Sequence, residues 1–445
     1  MGESSSDGYA APLSPEARQR GQTALIRAAL MSIVLHTVTA SVNTLFLLCL
    51  GAAPIHIGVL GTLTGLTACG SLLGLRLLPH LGKTGLGALA RLLDLVPLGA
   101  LVVLAILGLR GVAAVWAAIA ALVLLSLIHT IGNTGWWPLL QDNTAGDAVG
   151  AFLARMRTRL RAVEVGLPIF IGAILGSQPE VWRFALPYVM CMVALAFGAW
   201  FLRQVPERAT PPAAESLLGQ FAAAWRVPSV RRYTAFVCVR DFTITLAWSF
   251  WVVLLKARGL PDNQVVWLTV VAAVGNVLFL RGWGRLADRH GSRPVLSFTL
   301  IAEAIIGLAW LLLPDEAGDV MWWALGYYFL WGFLQGGFLM GRTHAMIRAV
   351  PVACQACGFV LIDLASSAAA AVAALLAGGI FQWLTSHEVR WQGLDGRTLY
   401  FAAVQMSFLG VWLVSRRLSG YEQQTPTRQL MNLVWRRVMG KRDAA

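Results

Sequence analysis

Charge is scarce in this chain: 13% of its 445 residues are Asp, Glu, Lys or Arg, against 57% hydrophobic residues and a mean hydropathy of +0.67. A soluble protein so apolar would have too little polar surface to face water, which excludes an ordinary soluble domain; a surface against lipid tails has no such need. Cysteine is sparse too. The six are scattered, and Cys49, Cys69, Cys191 and Cys238 fall within or at the edges of apolar runs, which argues against a disulfide framework. Cys354 and Cys357 form a CxxC without a second ligand pair, so they read as small residues at the mouth of a helix. GxxxxGK(S/T), HExxH and GxSxG are all missing, as is a coherent nucleophile and base pair. No enzyme, catalytic residue, cofactor or metal centre is therefore expected.

What is present is a series of apolar runs. They fall at 27–49, 55–78, 88–109, 112–133, 162–177 and 185–203, and again at 233–255, 264–282, 295–313, 321–341, 356–383 and 399–416. The fifth is short for a span of roughly 20 residues, so its helix is expected to begin near Gly150. The fold class is all-α, a polytopic membrane protein of twelve transmembrane helices. The net charge of +13 raises nucleic acid as a partner. Sorting Lys and Arg by side places roughly 28 on one face and about 6 on the other, the positive-inside pattern, so lipid and not nucleic acid is the partner implied. That pattern puts both termini in the cytoplasm of a multi-pass protein of the cell (inner) membrane, with a bacterial source expected. The first apolar run is too long for a cleaved signal and reads as a retained anchor.

The chain divides into a tail, 1–26; a six-helix bundle, 27–203; a linker, 204–232, with Pro206, Pro211 and Pro212; a second bundle, 233–417; and a basic tail, 418–445. The tail's RQLMNLVWRRVMGKR either lies on the anionic leaflet as an amphipathic helix or is an extended basic segment. Two landmarks suggest that the bundles are repeats. Ala145, Ala148 and Gly150 match Ala353, Ala356 and Gly358 at an offset of 208, and nearly the same offset carries the loop at Pro79 and Gly82 onto Asp288 and Gly291.

The loop from Gly284 to Arg293 reads GRLADRHGSR. Here the chain resembles the major facilitator superfamily, whose loop motif has the form GxLaDrxGxx(R/K). The resemblance implies two pseudo-symmetric six-helix bundles, a cavity lined by spans one, four, seven and ten, and a cytoplasmic gate built from Gly284, Asp288, Arg289, Gly291 and Arg293. Gly284 would permit close helix approach, and Asp288 would face the positive end of a neighbouring helix near the start of span five. The first-half copy departs from the motif, with Leu75 and Pro79 where it has Gly and Asp. The antiporter signature of span five is blurred to GLPIFIGAILG, and span four lacks the Arg common in drug antiporters.

A charged group at the bilayer centre costs about 2.5–3.5 kcal/mol on insertion scales, so polar residues there are candidates for function. At helical spacing stand His36, Thr39 and Asn43 in span one, and His129, Asn133 and Trp137 in span four. Span seven adds Arg240, Asp241, Thr245 and Trp248, and span ten Tyr328, Trp331 and Gln335. Arg240 and Asp241 lie about 100° apart on a helix and are expected to pair elsewhere, with Asp363 and Glu164 as partners. Asp94 and Glu303 are read as structural pairs near helix ends. His36, His129, Asp241 and Asp363 are the candidates for proton coupling.

The function expected is secondary active transport of a small molecule by alternating access, coupled to protons. One alternative is a metal importer, on Met340, His344 and Met346 with Met190, Cys191 and Met192, soft ligands suited to Cu(I). Another is a transporter-like assembly factor or complex subunit, motivated by the degenerate first loop. The protein is expected as a monomer or with an unknown membrane partner.

Overall fold

A computed structural model describes residues 13–144, 149–208, 217–350, 355–387, 389–391 and 394–418. The basic C-terminal stretch, the proline-rich part of the linker, Cys354 and the repeat landmarks Ala145, Ala148 and Ala353 lie outside the described residues. Among the described residues ten helical stretches are long and apolar enough to cross a membrane. Two further long helices, Val149–Leu175 and Ala317–Ala349, complete twelve. The first of them spends its opening turns on Arg155, Arg157, Arg159 and Arg161; the second is rich in Trp, Tyr and Gly, which a hydropathy index scores as polar although the aromatic rings suit lipid.

Helix ends follow local chemistry. Pro15 opens the first helix, Pro15–Leu50, behind Ser14, whose side chain accepts from the Ala17 N–H, and Gly51 closes it in the left-handed conformation at φ 97°. The helices run past the apolar stretches at several ends: span seven begins at Pro228 and not at residue 233, and span ten continues to Ala349. The linker holds a further helix, Leu217–Arg226. Hydropathy marks only lipid-facing turns, whereas backbone hydrogen bonding carries a helix into the aqueous margin.

The described chain forms two compact units, Met1–His56 with Leu63–Ser216, and Ile57–Thr62 with Leu217–Ala445. Each has the same internal plan. In the first unit span one packs on five and six, four on two and three, and three on six; in the second, seven packs on eleven and twelve, ten on eight and nine, and nine on twelve. The loops at the repeat offset also share a backbone: Gly82 sits at φ 72°, ψ 169° and Gly291 at φ 82°, ψ 174°, both reached freely only by glycine. The internal repeat is therefore visible in packing and in loop geometry.

At one end of the second unit, a short hairpin pairs Arg390–Trp391 with Leu394–Asp395. Asp395 caps the helix Gly396–Met406 by accepting from the Arg397 N–H at 2.8 Å, and Arg258 reaches it at 3.3 Å while also pairing with Asp315. Burial pushes the Asp395 carboxyl up, but the Arg397 hydrogen bonds and the Arg258 charge outweigh it and hold it below the usual carboxylate range. A carboxyl lowered on folding adds stability above its unfolded pKa of about 3.9 and loses it as the pH falls through the folded value. Asp395→Asn is expected to lower the melting temperature at pH 7, with the difference from wild type narrowing as the pH falls through the carboxyl's lowered value, in thermal melts of detergent-solubilised protein across pH.

Candidate functional site

The polar residues inside the spans fall into one cluster per unit. In the first, Asp94 on span three is fully buried and its Oδ2 lies 3.2 Å from Nδ1 of His129 on span four, whose side chain is 35% exposed. One helical turn before Asp94, the guanidinium of Arg91 donates to Ser32 Oγ on span one, at 2.9 and 3.3 Å, and to the Gly87 carbonyl. A small cavity runs beside this cluster, lined in part by Lys83, Arg91, Asp94, His129 and Asn133. His36 is exposed on span one within electrostatic reach of His129, Glu164 and Arg161. Thr39 is turned to the His36 carbonyl, and Asn43 accepts from the Tyr188 hydroxyl at 3.1 Å, so Asn43 ties span one to span six. Asn133 and Trp137 are exposed.

In the second unit Arg240 is buried, with its guanidinium over the rings of Phe338 and Phe408 and 3.6 Å from Glu303. Glu303, fully buried on span nine, accepts at 3.0 Å from the Gln335 amide on span ten. Asp241 faces the other way and takes two hydrogen bonds from Arg342, at 3.3 and 3.4 Å, with the exposed Asp363 within electrostatic reach of both. The adjacent charges of span seven thus separate into two pairs, as their 100° offset requires.

Trp248 of span seven meets Trp331 of span ten with ring centroids 4.6 Å apart, and Trp251, Trp310, Tyr327 and Tyr328 continue the cluster inward. Trp248 and Trp331 are half-buried and Thr245 lies one turn before Trp248 on the same face, whereas Tyr328 is buried at 4% exposure.

These placements correct several expectations. Arg240 and Tyr328 are interior residues and line no open face, because the apolar rings around them close the space. The partners of Arg240 and Asp241 are Glu303 and Arg342, not Asp363 or Glu164; Glu164 pairs with Arg161 on its own helix. Asp94 and Glu303 are paired as expected, but each lies in the middle of its span and not near an end, as the buried anion of its cluster. Gly284 does not mediate close approach: among the described residues nothing comes within 4 Å of a Cβ built there. The side chains of Asp288, Arg289 and His344 lie outside those described; Gly291 ends its helix, and Arg293 is half-buried. Met340 packs with Trp283 and Ala287 while Met346 packs in a different apolar cluster, so the soft side chains do not converge.

Sequence reasoning passed over Arg342, Arg91 and Ser32. Arg342 lies one residue past the apolar run assigned to span ten, and Arg91 stands in no motif. The signal available was spacing: Arg91 and Asp94 are three apart on one helix, and an acid that deep needs a partner.

Residues 234–442 match the Major Facilitator Superfamily model. A point mutant of the nucleoside transporter NupG superposes with a TM-score of 0.67 at 12% identity, covering 91% of this chain and 100% of that one. The chain has the major facilitator fold, and its second half the family's sequence. A D-xylose-proton symporter gives a TM-score of 0.64 at 12% identity, over 92% of this chain and 99% of that one. A bacterial homologue of the iron transporter ferroportin, in an outward-facing state with soaked iron, gives 0.61 at 15% identity, over 92% and 100%. No curated protein matches significantly in sequence. The chain is a multi-pass membrane protein with this fold. Its first-half loop lacks the motif's Asp, yet it is held by charge: Lys83 pairs with Asp142, and the Thr84 N–H donates to Glu207 at 2.8 Å.

Proposed function

We propose that this protein is a secondary active transporter that moves a small molecule by alternating access and couples that movement to protons. The observation that supports it is the set of titratable side chains kept inside apolar spans and open to their surroundings: His36 and Asp363 exposed, His129 and Asp241 partly so. A membrane protein serving only as scaffold has no use for groups so costly to insert. The half-buried Trp248 and Trp331 supply flat apolar faces, with Thr245 beside them, for a ring-bearing polar substrate. Both termini are assigned to the cytoplasm and the protein to the cell membrane, from the Lys and Arg asymmetry. The gate is assigned to the loop holding Gly284, Asp288, Arg289, Gly291 and Arg293.

Reconstituted into liposomes with an imposed pH gradient, the protein is expected to accumulate at least one of a panel of nucleosides, pentoses, hexoses and short peptides. Uptake should run about tenfold above empty liposomes and stop when the gradient is collapsed. No flux for any member in either direction of the gradient would overturn the reading.

A further inference from the structure

The two units place buried acids at equivalent points, and the repeat makes their difference informative. Ser32 and Arg240 are 208 residues apart, Asp94 and Glu303 are 209, and His129 and Gln335 are 206. In the second unit the first, third and fourth helices meet around Glu303; in the first, Asp94 of the third meets His129 of the fourth, and Ser32 of the first holds Arg91 one turn away. In the second unit every partner is fixed, an arginine from span seven and an amide from span ten, and neither changes charge in water's pH range. In the first unit the arginine has gone from span one, leaving Ser32, and the fourth helix presents an imidazole. We infer that Asp94 and His129 form the proton-binding site of the first unit, while Glu303, Arg240 and Gln335 are its structural counterpart.

The chemistry follows from the geometry. An ionised carboxylate accepts only, so the Nδ1–H of His129 donates to Asp94 Oδ2, which leaves Nε2 of the ring to take a proton from water. Loaded, the pair is carboxylate and imidazolium, neutral as a whole; unloaded, it is carboxylate and neutral imidazole with one negative charge, and the proton has returned to water. The imidazole is 35% exposed and the acid behind it is not exposed at all, so exchange runs through His129 and the charge that holds the proton stays buried. Asp94 Oδ1 is buried without a hydrogen-bond partner and Asp94 is among the residues lining the small cavity, so among the described residues the carboxylate's only hydrogen-bonded neighbour is the imidazole of His129.

Other charges around the pair are accounted for. Span three contributes Arg91, held by Ser32 and the Gly87 carbonyl, and Lys83, held by Asp142 at the end of span four. Span one contributes His36, with Arg161 and Glu164 of span five beyond it. Span six contributes Tyr188 and Cys191, both buried, with the Tyr188 hydroxyl committed to Asn43. Among the described residues none of these is hydrogen-bonded to either member of the pair.

This assignment rests on the proton-coupled reading above, but its test needs no substrate. The probe is the proton itself, read by pH-difference infrared spectroscopy of the full chain in lipid bilayers with ring-labelled histidine. The wild type is expected to show an imidazole band titrating together with a carboxylate stretch. His129→Gln should abolish that band, and Asp94→Asn should move its midpoint by about one pH unit or more. Glu303→Gln should leave it in place. Asp94→Asn with an unchanged midpoint, or His129→Gln with an unchanged spectrum, would overturn the assignment. If Asp94→Asn does not fold, the His129→Gln spectrum decides alone: with the assignment correct, the carboxylate stretch loses its pH response along with the ring band. Failure here leaves transport standing, and failure of transport leaves this titration standing.

Discussion

Arg240→Met is expected to destabilise the second unit by about 3–5 kcal/mol, one of the largest effects of any single substitution in this protein. The side chain is almost wholly buried, stacked over Phe338 and Phe408, and is the ion-pair partner of Glu303, itself fully buried. Methionine fills a similar volume among the rings, so the loss is chiefly electrostatic: a carboxylate remains in an apolar interior with only the Gln335 amide against it. The double variant Arg240→Met with Glu303→Gln removes both charges and should recover most of the loss. Thermal melts followed by size-exclusion chromatography in detergent measure all three. If the double variant is as unstable as Arg240→Met alone, the cost lies in packing and the electrostatic account fails.

The second large effect is expected at Gly332. Spans eight and ten cross so closely that a Cβ on Gly332 would stand 2.0 Å from the Ala272 carbonyl oxygen, and one on Gly275 would stand 2.4 Å from that of Phe329. The obstacles are backbone atoms, which cannot rotate aside, so Gly332→Val forces the helices apart along their length. Overpacking commonly costs about 1–3 kcal/mol, and this case belongs beyond that range because no side chain can yield. The expected result is loss of monodisperse protein. Gly284→Ala, two helix turns before the end of span eight, meets open space and should retain or slightly raise thermal stability. Equal damage from both substitutions would refute the close crossing.

That contrast shows what could be read from the residues. The motif made Gly284 conspicuous, yet the glycines that set helix distance are Gly275 and Gly332, and Gly332 stands with Gly336 in the GxxxG spacing that marks close helix packing. Apolar runs gave the twelve helices because burying an unsatisfied backbone in lipid leaves few other solutions. They failed at the ends, where Pro228 and Ala349 extend helices into polar sequence. For the site, helix spacing separated Arg240 from Asp241 correctly, since geometry along one helix is fixed by the sequence. Their partners, Glu303 and Arg342, come from other helices, and which helices meet depends on tertiary packing that no local pattern encodes. Asp94 and Glu303 were read as structural pairs near helix ends, although their depth in apolar sequence marked them as needing counter-groups within the bundle.

The tryptophans of spans seven, nine and ten have an optical consequence. With Trp248, Trp251, Trp310 and Trp331 linked through ring separations of 4.6–5.9 Å, light absorbed by one indole is shared among its neighbours. These four of the eighteen tryptophans therefore emit as a coupled group and not one by one. The fold carries its own dye, spread over three helices of the second unit.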